Sequence, residues 1–542
     1  MGFFEGEVRG DLLHHLVVTA PDNVFVASLG QAPPEALDAA VRALQEAGLL
    51  GLRKSLGTIQ GYDAETVARL RAERKLQAVE VAQKPTEMPL PAAPGVFTYT
   101  FDCHPLVQQY FRARARPLSG WRTLHARVSA YLAATCPEWP AGLESLRWLY
   151  QSVTHACAAG MPLTAWRRVY VPRIRRGDYY YSTQTLGAFG EDLACISRFF
   201  TQRWSRVNGR FRADTQGEIL NDTGYRLLAV GRVVDAAPCL AAAMKIRLSI
   251  GNTRDAAINA SSLSLAHLML AEFSQAITAA REGVRLADIS GDLFQRVTKR
   301  ATLARCLSLA GADGADATFV KANALHKMLY DEETAHGKPQ FPELHSTAGF
   351  WLSEHQLAPT YAALWRRRLF SKCPSPEHVR GPTEVLARAG QTLTWSEEQR
   401  RAALYRALDH QTIARASLAL ALIRDDRHLV DAARESFERA EKLMNRAGQQ
   451  DHIAGLLLAE AEGLALCGES DRAQWLLQRA RGFLQGSDYR LLEFDADCIA
   501  AGLNCNAARV SRLAKRAREI GYGKWWTAFS KPDGSRLAGP DT

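Results

Sequence analysis

The chain has 542 residues, 47% of them hydrophobic and 23% charged, with a formal net charge of +10. That length exceeds what one hydrophobic core supports and implies three or four packing units, while the apolar content excludes a disordered chain. The arginine excess is spread along the sequence instead of gathered in a tail, which reads as a solvated basic face and argues against a nucleic-acid partner.

Residues 1–115 read as a small mixed domain. Helical periodicity runs through Asp11–Ala20 and Glu35–Gly48, where Leu37, Val41, Leu44 and Leu49 share a face. Strands are expected at Leu50–Leu56 and at Val96–Phe101, whose aromatic and β-branched residues suit a pleated surface. Between them lie a polar helical segment, Ala64–Ala82, and a Pro-rich stretch, Lys84–Gly95, expected to be an exposed insertion or linker. Helix, helix, strand, strand and a closing helix from His104 is the order of a winged helix.

Residues 116–212 read as a helical bridge rich in aromatics and arginines. It holds the cluster Trp166-Arg167-Arg168-Val169-Tyr170, Arg173, Arg175-Arg176 and Tyr179-Tyr180-Tyr181. Interleaved Arg and aromatics can stack bases and hold phosphates. The favoured reading is packing, with aromatics in an interface and Arg stems covering them.

From about residue 215 a repeat emerges: a small residue, an apolar one four later, and a small one three after that. It occurs at Ala236–Leu240–Ala243, Ala276–Ala280–Gly283, Ala315–Phe319–Ala322, Ala433–Phe437–Ala440 and Ala473–Leu477–Ala480. Small residues at this spacing let two helices approach closely. Gly224 and Leu227 sit where a tetratricopeptide repeat places the small and bulky residues of its first helix. Five repeats of about forty residues can be phased, at 213–345 and again within 346–542, and two more are expected between residues 345 and 410. The connectors His336–Leu344 and Cys373–Glu384 carry Pro and Gly and are expected to interrupt the stack. The fold class is therefore mainly α: a winged-helix-like domain, a helical bridge and a tetratricopeptide-like α-solenoid. Such an array offers a concave surface to a protein or peptide ligand.

Recognisable chemistry is sparse. Gly337-Lys338 is followed by Pro339 and Gly523-Lys524 by Trp525, so neither pair completes a phosphate-binding loop. There is no His-Glu-x-x-His and no nucleophile elbow. His14-His15 reads as a surface pair, and His410 and His452, each after an Asp, as hydrogen-bonded residues of repeat helices. The ten cysteines contain no Cys-x-x-Cys and none has His at metal spacing, so they are expected to be buried hydrophobes in a reducing compartment. No enzyme activity, metal or cofactor is expected. No apolar run approaches the roughly 20 residues a membrane helix needs, and Glu5 and Glu7 do not suit a signal peptide. The expected location is the cytoplasm.

Phe101-Asp102-Cys103-His104-Pro105-Leu106-Val107-Gln108-Gln109-Tyr110-Phe111 resembles the His-Pro-Leu-Val segment of bacterial STAND ATPases of the NACHT and NB-ARC kind. The resemblance continues in order through Ser152–Gly160, Arg173–Phe189, Ala287–Asp292 with Phe294, and Ala447–His452. Met1-Gly2-Phe3-Phe4 resembles the start of that family's winged helix, so the effector and P-loop ATPase domains are absent from this sequence. The family places a tetratricopeptide sensor after the winged helix, and its members are signalling switches, several tied to defence against phage. The resemblance implies that His104 contacts nucleotide, provided an ATPase domain is supplied; a structural cap at a helix start is the alternative. It also implies a sensor module acting on a separately encoded P-loop ATPase. A standalone tetratricopeptide adaptor for protein–protein interaction is the alternative function, and it should survive loss of residues 1–115. A transcription regulator ranks last, because the basic tail Ala507–Lys531 with Trp525-Trp526 lacks a helix-turn-helix pattern.

Overall fold

The computed structural model describes residues 120–335, 341–370, 377–399 and 402–530 continuously, and before them only 8–9, 12, 39, 42–43, 45–47, 50–54, 58–72, 86–89, 99–103 and 116. The chain divides into two units, Met1–Phe199 and Phe200–Thr542.

In the first unit, β5 (Tyr99–Cys103) lies between β1 (Val8–Arg9) and β2 (Leu50–Lys54), antiparallel to both. The expected strand regions thus contain β2 and overlap β5. A second sheet places β3 (Thr58–Tyr62) between β4 (Thr86–Pro89) and β6 (Trp139–Pro140). The Pro-rich stretch is consequently more than a linker, since Thr86–Pro89 pairs with β3. Its proline is tolerated because β4 is an edge strand, where a missing N–H costs no ladder bond. Two sheets are more strand than the single wing expected of residues 1–115. His104 and the helix expected to begin there lie outside the described residues, as do His14 and His15.

Helix α1 (Ala64–Ala72) starts where the Asp63 carboxylate accepts the Thr66 amide at 2.6 Å. Later come α2 (Trp121–Thr135) and α3 (Gly142–Ala158), which pack through Leu124, Val128 and Leu132 on one and Leu146, Leu149 and Val153 on the other, all buried. These spacings of three and four residues are one helix face. A short turn, Pro162–Thr164, runs into a wide π-type helix, Ala165–Arg175, and α4 (Phe189–Ile196) follows.

The second unit opens with the hairpin β7 (Phe200–Gln202) and β8 (Arg206–Val207) and continues as helical pairs. They are α5 (Ala213–Ala229) with α6 (Val233–Ser249), α7 (Thr253–Met269) with α8 (Phe273–Ser290), and α9 (Leu293–Ala310) with α10 (Ala315–Ala335). Next come α11 (Ser346–Phe370) with α12 (Glu377–Glu398) and α13 (Ala403–Arg424) with α14 (Arg427–Ala447). The last are α15 (Gln450–Cys467) with α16 (Ser470–Leu484) and α17 (Arg490–Leu503) with α18 (Ala507–Ile520), and α19 (Gly523–Phe529) closes the series. Asn252, Asp292 and Asn506 cap α7, α9 and α18 by accepting the amide three residues on. Gly448 and Gly468 end α14 and α15 at φ of +71° and +86°, a conformation an L side chain resists.

All five small–apolar–small triads fall on the second helix of a pair, and each of their side chains is buried. Their small residues let the first helix approach. A Cβ built on Gly224 of α5 would lie 2.6 Å from Leu240 of α6. The two extra repeats are distributed differently from the expectation. Only one pair, α11 and α12, occupies most of residues 345–410, because its helices are 25 and 22 residues long. Its triad is Val385–Ala389–Thr392, and the other pair, α17 and α18, lies at the far end with Val510–Ala514–Ala517. A β-branched first residue hides both from a search for small ones. Nor is Cys373–Glu384 wholly a connector, since α12 has begun by Glu377 and tolerates Pro382 early in its length.

The larger departure is closure. The Tyr489 hydroxyl donates to the Leu228 carbonyl at 2.6 Å, the Asp488 amide donates to the Gly231 carbonyl at 2.8 Å, and the Asp488 carboxylate accepts the Val234 amide at 3.0 Å. Tyr522 packs on Phe273 with ring centres 5.1 Å apart, and the Gly523 backbone lies against Gly311, where a Cβ would meet backbone at 2.5 Å. The last pair and α19 therefore return to the first three pairs. The array thus curls until its two ends meet, and its concave side becomes a partly open interior. Among the described residues no helix is long and apolar enough to cross a membrane.

Candidate functional site: an interior chamber in the second unit

The returning helices leave a partly open chamber of about 610 Å³ in the interior of the array. Its wall comes from α5, α7, α9, α11, α13, α15, α17 and α19, the turns that precede α15, α17 and α19, and Gly311 after α9; helices α6, α8, α10, α12, α14, α16 and α18 contribute nothing. The pairing explains this division. The triads turn the second helix of each pair outward against the first, leaving the inner helices to face one common space.

Across the chamber runs a chain of alternating charge, each member from a different helix. Arg415 (α13) places Nε 2.9 Å from Glu354 Oε1 (α11) and Nη1 2.9 Å from Glu462 Oε2 (α15). Lys524 (α19) lies 4.0 Å from Glu462 Oε2 and 3.8 Å from Asp495 Oδ1 (α17). The Trp365 indole donates to Glu462 at 3.0 Å, and Tyr522 and Trp525 donate to Asp495 at 2.7 and 2.5 Å. The Arg415 guanidinium also lies over Tyr361, 4.1 Å from the ring centre.

Burial opposes the charges of Arg415, Glu462 and Lys524, and their neighbours outweigh it. Against burial, Lys524 and then Arg415 hold Glu462 below the usual carboxylate range. Against burial, Glu354, Tyr361 and Glu462 hold Arg415 above the usual arginine value, and Asp495 and Glu462 do the same for Lys524. Arg415, Glu462 and Lys524 are thus held in their charged forms, and removing either cation deprives its two carboxylates of a shared partner.

Two wall residues differ. Arg305 (α9) is half-buried with its guanidinium 4.8 Å from the centre of the Trp351 ring, and burial lowers its pKa. Asp451, in the first turn of α15, has a fully buried Oδ1 with no hydrogen-bond partner, while Oδ2 lies 3.9 Å from His452 Nε2. Burial pushes the pKa of His452 down, keeping the ring neutral near pH 7.

The residues singled out from sequence distribute unevenly. His452 is on the chamber wall; His410 is buried in α13 away from it. The segment Ala447–His452 places Gln449, Asp451 and His452 at the chamber. Arg305, Glu354, Arg415, Glu462 and Asp495 escaped a motif search because no two are adjacent in sequence, and Lys524 was met only in a Gly-Lys pair that completes no phosphate loop. One local signal existed: Glu460 and Glu462 interrupt the otherwise apolar run Ile453–Cys467.

In the first unit, the Arg and Tyr cluster is structural. Arg173 donates to the carbonyls of Ala133, Cys136, Pro137 and Glu138 at 2.8–3.2 Å, and Arg176 donates to Pro140 at 2.6 Å while lying over Tyr181. Arg175 lies over Trp166 and Tyr180. These guanidinium groups bind turns of their own unit, while Arg167 and Arg168 are exposed. The described cysteines are free thiols, and most are buried as expected, but Cys505 is exposed because it follows the C-terminus of α17 in a surface turn. Among the described residues no three His, Cys, Asp or Glu side chains are grouped to hold a metal.

The fold and wall together define a mainly helical paired-helix array, curled around a partly open, ligand-sized chamber. No family model matches the chain, and no curated protein matches it. Among solved structures it is similar to a Rap protein complexed with competence and sporulation factor, at 11% identity over 72% of this chain and 97% of that one, with a TM-score of 0.36. That likeness is too slight to define a shared fold.

Proposed function

We propose that the chain is a non-catalytic sensor module of a STAND-type switch, binding a protein or peptide ligand through its helical array and acting on a P-loop ATPase encoded with it. On this reading residues 1–115 form the winged-helix element, 116–212 the bridge, and 213–345 with 346–542 the sensor, in a bacterial cytoplasm. His104 would face the nucleotide of the ATPase. The observation that carries the sensing role is that the inner helix of every pair lines one chamber, to which no outer helix contributes. The ordered segments from Phe101 to His452 support the switch. Closure through Tyr489 and α19 supplies an element that a ligand could bias between two packings.

The test looks for a P-loop protein encoded beside the chain, whose absence removes the switch reading, and where one is found co-expresses the two and follows ATP turnover. Sensor function requires turnover to change by several-fold when the chain is present. Unchanged turnover, with no stable association, removes the switch reading.

A second reading, a protein-binding adaptor, is favoured by Ile250, Ile289 and Phe294, which are exposed at successive turns of the array. Replacing all three with Asp should abolish partner capture if they form the contact, and should leave the chamber unaffected.

A further inference from the structure

The polar groups of the chamber wall answer one another. Arg415 lies between Glu354 and Glu462, and Lys524 between Glu462 and Asp495. Burial disfavours the charge of Arg305, and Asp451 and Glu354 act to favour it. Neutral donors are spent in the same way. Trp365 donates to Glu462 and Trp525 to Asp495. Ser308 and His355 Nδ1 share a hydrogen bond of 2.8 Å, and His355 Nε2 lies 2.9 Å from Asp316. A charged ligand would have to take a partner from one of these groups and give up its own water as well. A ligand without charge does neither.

The rest of the wall suits such a molecule. Leu265 (α7) and Phe350 (α11) are half-buried at the chamber, and both pack on the cluster that contains Val297, Ala301 and Trp351. Gly455 supplies the room. It sits inside α15, where glycine is less stable than alanine, and a Cβ built there meets no atom within 4 Å. Gly224 and Gly502 differ, because they make space for Leu240 and Trp365. No protein neighbour requires a glycine at position 455. What it preserves is the chamber itself, whose volume of about 610 Å³ lies in the ~300–1,000 Å³ range of small-molecule sites.

We propose that the chamber binds one uncharged, largely apolar small molecule, seated against Leu265 and Phe350 in the space that Gly455 leaves open. This deepens the sensor reading and rests on it for the role of the inner wall. The ligand is distinct from any protein held on the outside of the array.

The test is a fluorescence titration of the full chain with N-phenyl-naphthylamine, an uncharged aromatic probe, and with the same compound carrying a sulfonate or a trimethylammonium group. The neutral probe is expected to bind saturably, one per chain, and each charged derivative at least about tenfold more weakly. Gly455→Phe places a ring in the chamber and should weaken the neutral probe by about tenfold or more, with an unchanged circular dichroism spectrum. Gly455→Leu fills less of the space and should give a smaller loss, which keeps the test open if the larger side chain disturbs folding. Gly482→Phe, on the outer helix α16 where a Cβ also meets nothing, should leave binding unchanged. Absence of saturable binding, equal affinity for either charged derivative, full affinity in folded Gly455→Phe and Gly455→Leu, or an equal loss in Gly482→Phe would each overturn the proposal. If the probe fails to bind and the chain still controls its ATPase, the ligand assignment falls and the sensor reading stands.

Discussion

At the scale of single residues, the interior holds groups whose cost can be measured. Asp409 accepts the hydroxyls of Thr392 and Ser396 at 2.9 and 3.0 Å, yet burial pushes its pKa from 3.8 to about 6. Between pH 4 and 6 the folded chain holds a proton here that the unfolded chain releases. The residue's contribution is therefore most favourable below pH 4 and declines as pH rises through 6, by an amount on the order of 3 kcal/mol. Asp409→Asn should remove this dependence, so its urea midpoint should gain on the wild type as pH rises from 4 to 6.5. Parallel curves would contradict the burial argument. Gly502 is a steric counterpart: a Cβ there would meet the buried Trp365 ring at 2.4 Å. Gly502→Ala should destabilise the protein by roughly 1–3 kcal/mol, the usual cost of overpacking, measurable in the same titrations.

At the scale of elements, the sequence showed the outer helices and concealed the inner wall. Ala433–Phe437–Ala440 and its relatives are legible because close approach of two helices demands small residues at fixed spacing in one segment. Val385 and Val510 broke that pattern, and their pairs were misplaced or missed. The charge chain from Glu354 to Asp495 was illegible for a different reason: its members come from five helices and meet only after the array closes. Tyr489 was equally silent, since its partner Leu228 is 261 residues away. Helix α19 should be sensitive for the same reason. Lys524→Met would leave Glu462 and Asp495 with one cation fewer, and breaking a buried pair in this way costs about 3–5 kcal/mol. Its partial exposure lowers that figure, so a loss of at least 1–2 kcal/mol is the expected outcome in chemical denaturation. The milder Tyr489→Phe should cost about 1 kcal/mol and make the segment around residue 487 more susceptible to limited proteolysis, with α8 unaffected.

At the scale of the whole molecule, the account ties one architectural fact to function: inner helices face a chamber and outer helices face away from it. The measurement that tests this most directly is hydrogen–deuterium exchange of the full chain with and without the Lys524→Met substitution. The expected result is faster exchange in the inner helices α15, α17 and α19, which carry Glu462, Asp495 and Lys524, with the outer helices α6, α8 and α14 unchanged. Faster exchange confined to the outer helices, or no change in the inner ones, would contradict the account.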